Sequence, residues 1–279
     1  MSTHAAHHSQ PAIMRFFLIA CLATSLLCAA PIHAQEQPVD LELVLAVDVS
    51  GSMDADEKLL QRQGYVEAFR HPQVIRAIVS GFHGGIAVTY VEWAGPSSQV
   101  VILPWRSIDR EASAEDFARD LAAAPTSWIR RTSISGALLF SAALFDDNGF
   151  EAPRRVIDIS GDGPNNTGSP VLPVRDAVVE QGIVINGLPI TLKSGGFGGL
   201  QPGQLDLYYE ECVIGGTGAF IVSVQDPQHL AEAIRRKLVL EIAGAPPRAT
   251  PAAAHEAGPR IDCLIGEKTR PSWLDEDNR

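Results

Sequence analysis

Asp48, Ser50 and Ser52 stand at alternate positions in the stretch LVLAVDVSGSM, residues 43–53, directly behind an apolar run. Two more polar clusters follow along the chain: RRTSISGAL, which holds Thr132, and IDISGDGPNN, which holds Asp162. Carboxylate and hydroxyl oxygens, with no sulfur or imidazole among them, suit a hard divalent cation, Mg²⁺ first and Mn²⁺ or Ca²⁺ as alternatives. Zinc would be expected to recruit histidine or cysteine, and neither occurs in these three segments. The Asp-x-Ser-x-Ser alternation fits one turn that aims its first, third and fifth side chains inward, with Gly51 letting the backbone bend between the serines. The competing reading is three polar turns whose hydroxyls stop strands and cap helices.

Residues so far apart meet only if the elements before them bring them together. Apolar runs alternate with helical patterns from Val39 onward, which is the signature of an α/β domain. The strand candidates are LELVLAVDV, GIAVTYVEWA, QVVILPW, RRVIDIS, GIVINGLPI and GAFIVSV. They predict a doubly wound, mostly parallel six-stranded sheet with helices on both faces. Only GPSS separates the second and third runs, too short for a crossover, so those two form a hairpin and one strand is antiparallel. ADEKLLQRQGYVEAFR, SAEDFARDLAAA with Ser113 as N-cap, and the apolar ISGALLFSAALF read as helices. DPQHLAEAIRRKLVLEIAG closes the domain, with Asp226 as N-cap, Pro227 in the first turn and Gly244 as stop. In such a sheet, loops at the carboxyl ends of adjacent strands converge on one crevice, where Asp48, Ser50, Ser52, Thr132 and Asp162 would gather.

DVSGS, TSISGAL and SGDG, in that order, resemble the three elements of the metal-ion-dependent adhesion site of von Willebrand factor type A (vWFA) domains. The resemblance spans about residues 39–244 and implies a vWFA, Rossmann-like fold. It further implies that Ser50, Ser52 and Thr132 contact the metal directly, that Asp48 and Asp162 act mainly through bound waters, and that one coordination position stays open for a partner's carboxylate. Where many vWFA domains carry TDG, this chain has Gly161-Asp162-Gly163, which keeps the aspartate. EWAG, VIDISGDGPNN and KLVLEIAG more narrowly resemble a group of secreted bacterial vWFA-like proteins of unknown function.

The remaining chain bounds the setting. A length of 279 residues, 46% hydrophobic and 20% charged, fits one sizeable globular domain with extensions. With 22 Lys and Arg against 33 Asp and Glu and no basic run, the chain is poorly suited to nucleic acid or an anionic membrane surface. MRFFLIACLATSLLCAAPIHAQ, one positive residue before a short apolar core and small residues, reads as a signal peptide cleaved after Ala34, with Met14 as a plausible start. The run from Phe16 to Ala30 is shorter than the roughly 20 residues of a membrane span. The mature protein is therefore expected in the periplasm or outside the cell, without a transmembrane segment. Cleavage removes Cys21 and Cys28, leaving Cys212 and Cys263 as a disulfide candidate or as two separate thiols. Residues 245–279 read as a Pro- and Ala-rich linker with a cysteine-bearing tail.

SWIRR precedes Thr132, so Trp128, Arg130 and Arg131 form a candidate ligand rim, or else one core residue and a solvated face. TLKSGGFGGLQPGQ, residues 191–204, would emerge at the same edge. His71 and His83 read as surface or capping residues. GDGPNNTG lacks the lysine of a phosphate-cradling loop. These features lead to a metal-dependent protein-binding module whose partner presents an Asp or Glu carboxylate. The alternatives are a metal-dependent hydrolase using Asp48 or Ser50, and a scaffold in which the metal only stiffens loops. Against the hydrolase, no G-x-S-x-G elbow is present and Ser50 stands where an aspartyl phosphatase carries its second aspartate.

Overall fold

The computed structural model describes residues 36–125, 131–192, 200, 203–244 and 260–269, together with Ser2. The expected leader apart from Ser2, the rim residues Trp128 and Arg130, residues 193–199 and 201–202 of the glycine-rich segment, and the linker 245–259 lie outside the described residues. The fold belongs to the unit Gln35–Arg279.

In chain order the strands are Gln37–Pro38 (β1), Glu42–Asp48 (β2), Ile86–Trp93 (β3), Gln99–Ile108 (β4), Phe150–Glu151 (β5), Arg155–Gly161 (β6) and Ile183–Pro189 (β7). The helices are Ala55–Arg70 (α1), Pro72–Val79 (α2), Glu111–Ala123 (α3), Ile134–Ala143 (α4), Val171–Glu180 (α5), Gln204–Tyr208 (α6), Leu230–Ala243 (α7) and Ile265–Thr269 (α8). A π-helical turn, Tyr209–Val213, continues α6.

The main sheet runs β4-β3-β2-β6-β7, parallel except for β4, and β1 pairs with β5 in a separate two-stranded piece. Every residue of β2 is buried, as a central strand covered on both faces requires. Leu43, Leu45 and Val47 enter the core formed with α1, α2, α3 and α7, whereas Val44 and Ala46 enter the one formed with α4, α5 and the π turn. The period-2 alternation of one strand thus feeds two hydrophobic layers.

The hairpin expected at GPSS is present, closed by Ala94 N donating to Ser98 O and Ser98 N to Gly95 O. Its outer strand carries register shifts opposite Val88–Val91, and Pro104 is accommodated there at the sheet edge.

Two expectations need correction. The main sheet has five strands rather than six: GAFIVSV, residues 218–224, lies beside β7 but joins it only through isolated bridges at Gly187–Ile221 and Ile190–Val224. Part of that edge is diverted, since Phe220 N donates to the Asn186 side chain instead of entering a regular ladder. Ser113 is not the N-cap of α3 but sits in its first turn, where its Oγ accepts from the backbone N–H of Asp109 and Arg110. Arg110 occupies the cap, so the helix starts earlier than the serine signals.

Asp226 does cap the last long helix, accepting from Gln228 N ahead of a 3₁₀ turn, and Gly244 ends α7 at φ +70°. Among the described residues no helix is long and apolar enough to cross a membrane.

Candidate metal centre

β2 ends on Asp48, and its parallel neighbour β6 ends on Gly161, one residue before Asp162. The chain leaves β2 toward α1 on one face and β6 toward α5 on the other, so the two strand ends open a crevice at the point where the topology diverges. α4 brings Thr132 to the same region: Ser133 N donates to Ala94 O just past β3, and Thr132 exchanges backbone bonds with Asn166, whose N–H donates to Thr132 O and whose Oδ1 accepts from Thr132 N.

The loop after β2 is built as its sequence suggests. Asp48 Oδ1 accepts from Ser50 N at 2.7 Å, an aspartate folding onto its own backbone two residues on. Ser50 Oγ lies 2.8 Å from Ser52 Oγ, and Ser52 Oγ donates to Asp162 Oδ1 at 2.5 Å. Asp48, Ser50, Ser52 and Asp162 therefore form one continuous set of oxygens across two loops 110 residues apart. Thr132 is buried beside α4, and the bonds described for it run through its backbone. Arg131, next to it, is half-buried and takes φ +77°, a left-handed conformation rare for a side chain of its size.

Asp48 Oδ2 is buried and has no hydrogen-bond partner among the described residues. A buried carboxylate oxygen left bare is costly unless something positive meets it. Burial, with the Asp162 charge adding to it, pushes the Asp48 carboxyl well above the ordinary carboxylate range. Gly161 keeps the space in front open: a Cβ there would fall 2.9 Å from Asp48 Oδ2 and 2.8 Å from the Tyr209 hydroxyl. The bare oxygen, the gap maintained by glycine, and a donor set of two carboxylates with hydroxyls fit a hard cation. Among the described residues no three His, Cys, Asp or Glu side chains cluster for a metal, so any such site must draw on these hydroxyls.

Several contributors carried no signal in the sequence. Lys58 on α1 is buried within the field of both carboxylates; burial lowers its pKa while Asp48 and Asp162 push it back up. Gln61 donates to Asp48 O. Arg62 pairs with buried Glu92 and donates to the carbonyls of Ala124 and Pro125 on the approach to Thr132. Tyr209 is wholly buried, and its phenol is pushed far up by burial and by Asp48 and Asp162. Asn165 and Asn166 were visible as the NN of GDGPNN, but only the structure gives them partners.

The sequence profile described as protein of unknown function DUF1194 matches residues 38–246. The chain belongs to the DUF1194 family. No curated relative matches it. Among solved structures, the DUF1194 chain is similar to proximal thread matrix protein 1 from the mussel byssus, with a TM-score of 0.54 at 16% identity over 75% of this chain and 49% of that one. A second structure of that mussel protein, with a zinc-occupied MIDAS motif, gives 0.51 at 15% identity over 73% and 46%. The pilus adhesin SpaC of Lactobacillus rhamnosus GG gives 0.52 at 11% identity over 75% and 31%. The DUF1194 chain thus spans half or less of the length of these neighbours, and at such identities the likeness is one of fold. That fold is vWFA-like.

Proposed function

We propose that this protein is an exported, divalent-cation-dependent protein-binding module. In this reading Asp48, Ser50, Ser52, Thr132 and Asp162 hold the cation, Mg²⁺ first and Mn²⁺ or Ca²⁺ as alternatives, and an Asp or Glu carboxylate of a partner protein completes its coordination. The observation that carries the reading is Asp48 Oδ2, a buried carboxyl oxygen without a hydrogen-bond partner among the described residues, on the loop whose Ser50 and Ser52 hydroxyls lead to Asp162. The cation would supply positive charge to those oxygens and an open position for the partner. The protein's own part is to hold the oxygens still: the β2 ladder fixes Asp48, the Asp48–Ser50 turn fixes the serines, and the Asn166 bonds fix Thr132.

Binding rather than catalysis is favoured by the company Ser50 keeps. Its hydroxyl meets Ser52 Oγ, and no imidazole takes part in the described bonds of that loop. Export is supported by the leader-like amino terminus and by the Cys212–Cys263 disulfide, a bond characteristic of oxidising compartments.

The test is a thermal shift of the purified chain in EDTA and after saturation with Mg²⁺, Mn²⁺, Ca²⁺ or Zn²⁺. Zinc is included because a neighbour of the same fold holds it at its own MIDAS. At 100 times Kd a cation adds about 2.7 kcal/mol, which for a domain of this size is roughly 5–10 °C. No shift with any cation would sink the proposal. If shifts occur, affinity capture from envelope extract in Mg²⁺ with chelator elution should then yield a partner that Ser52→Ala protein fails to retain.

A further inference from the structure

The segment that closes the described chain packs against the loop that carries Asp162. Cys263 is joined to Cys212 of the π turn, 51 residues earlier, and Ile261 and Cys263 are buried in the core beneath α4 and α5. Arg260 reinforces the attachment through Glu211 and Glu210. Immediately beyond the disulfide, α8 lies on the GDGPNN loop. A Cβ on Gly266 would come within 2.1 Å of the Asn165 carbonyl oxygen, so two backbones touch there with no room for a side chain.

Asn165 is the hub of this contact. It is fully buried, and its Nδ2 donates to Glu267 Oε1 of α8 at 2.7 Å and to Ser169 O at 3.1 Å. Its Oδ1 accepts from the backbone N–H of Ser135, in the first turn of α4, at 3.1 Å, and its own N–H donates to the Tyr208 hydroxyl. One residue on, Asn166 donates its backbone N–H to Thr132 O and accepts from Thr132 N at its side-chain Oδ1. Asp162 stands three residues before this hub and Thr132 three before Ser135, so the loop and the start of α4 are fastened to each other and to α8.

We infer that Asn165 and Glu267 are positioning residues for the cation site, and that α8, secured by Cys212–Cys263, locks the Asp162 loop onto the start of α4. The inference rests on the metal reading above. None of these residues contacts the cation; they restrict where Asp162 and Thr132 can sit, and removal of such supports weakens metal sites by roughly 10- to 100-fold. It also makes cation affinity sensitive to redox state. A dithiol opens the bridge by attack of one thiolate on a cysteine sulfur; its second thiol then displaces the other half, leaving a cyclic disulfide and two cysteine thiols.

The experiment is a Mn²⁺ titration of the full chain, with free Mn²⁺ read by electron paramagnetic resonance, for wild type, Glu267→Ala, Glu267→Gln and the double variant Cys212→Ser/Cys263→Ser. Glu267→Ala and the double variant should weaken Mn²⁺ binding by about tenfold or more. Glu267→Gln should stay near wild type, since its amide oxygen still accepts from Asn165. Amide exchange over residues 162–168 should quicken in Glu267→Ala and not in Glu267→Gln. Unchanged Mn²⁺ affinity in all variants, with wild type binding, overturns this inference and leaves the metal site standing. Absence of Mn²⁺ binding by wild type overturns both.

Discussion

Gly161→Ala is the sharpest perturbation of the proposed centre. Gly161 does not take a positive φ, so alanine meets no backbone penalty and the effect is one of space alone. The new Cβ would sit 2.8 Å from the Tyr209 hydroxyl, 2.9 Å from Asp48 Oδ2 and 3.4 Å from Trp93 Cζ2, in a region where all three side chains are fully buried. Two of those distances are below any normal contact, so both oxygens must retreat. Overpacking of this kind costs about 1–3 kcal/mol, or roughly 2–12 °C in Tm for a domain of this size. The displaced atom on one side is the bare carboxylate oxygen assigned to the cation, so the thermal response to Mn²⁺ should vanish even where the variant remains folded. Adding Tyr209→Phe separates the two effects. It removes one of the clashing atoms, a hydroxyl with no hydrogen-bond partner among the described residues, at little cost of its own. Gly161→Ala/Tyr209→Phe should therefore regain part of the lost Tm while remaining blind to Mn²⁺. Differential scanning fluorimetry with and without Mn²⁺ reads both quantities. A Gly161→Ala protein that keeps the wild-type Mn²⁺ shift would refute the idea that the gap before Asp48 Oδ2 is where the cation acts.

Three further outcomes follow from buried groups. Lys237 is held between Asp158 at 2.5 Å and Glu241, all three nearly inaccessible to solvent, so Lys237→Met should cost about 3–5 kcal/mol at neutral pH by leaving the buried Asp158 carboxylate without its cation; urea unfolding measures it, and a loss under 1 kcal/mol would contradict the geometry. Burial and the Asp158 charge raise the Glu241 carboxyl to about 8, so the folded state holds that proton more tightly than the unfolded chain. Its stabilisation is full below the unfolded value near 4.3 and is lost as pH rises through 8; metal-free protein should lose urea stability from pH 5 to 8, and Glu241→Gln should flatten that slope. Reducing the disulfide releases a closure of 51 residues, worth about 4 kcal/mol on the chain-entropy estimate, so a dithiol should lower the Tm of wild type and leave Cys212→Ser/Cys263→Ser unmoved.

Which parts of this molecule could be read from its sequence follows from the range of the interactions involved. The extent of α1 is legible to the residue because its signals are local: Asp54 caps it and accepts from Glu57 N while Glu57 reaches back, and Pro72 lies just beyond its end. The central strand is legible because burial on both faces demands an unbroken apolar run. α3 is legible as a helix but not in its start, since a serine in the first turn can take the same backbone N–H groups that make a cap recognisable. The sixth strand is not legible for a different reason: GAFIVSV has strand composition and exchanges backbone bonds with the β7 edge, but the ladder is broken at Pro189, which has no N–H to give, and at Phe220, whose N–H goes to the Asn186 side chain more than thirty residues away.

The same division runs through the candidate site. Asp48, Ser50 and Ser52 declare themselves by spacing, and a family pattern brought in Thr132 and Asp162. Lys58, Tyr209 and Asn165 declare nothing locally; a lysine in a helix, a tyrosine in an apolar run and an asparagine in a turn are ordinary residues until the fold sets them beside the carboxylates or beneath their loop. These residues decide how stiff the oxygens are and how much charge they face. The proposed metal site is thus legible as a list of donors, whereas its affinity would rest on contacts that only the three-dimensional arrangement provides. Glu267, 219 residues after Asp48 in the chain yet bonded into the loop of Asp162, is the extreme case. If its removal weakens Mn²⁺ binding as expected, the tail beyond Gly244 belongs to the site as fully as the serines do.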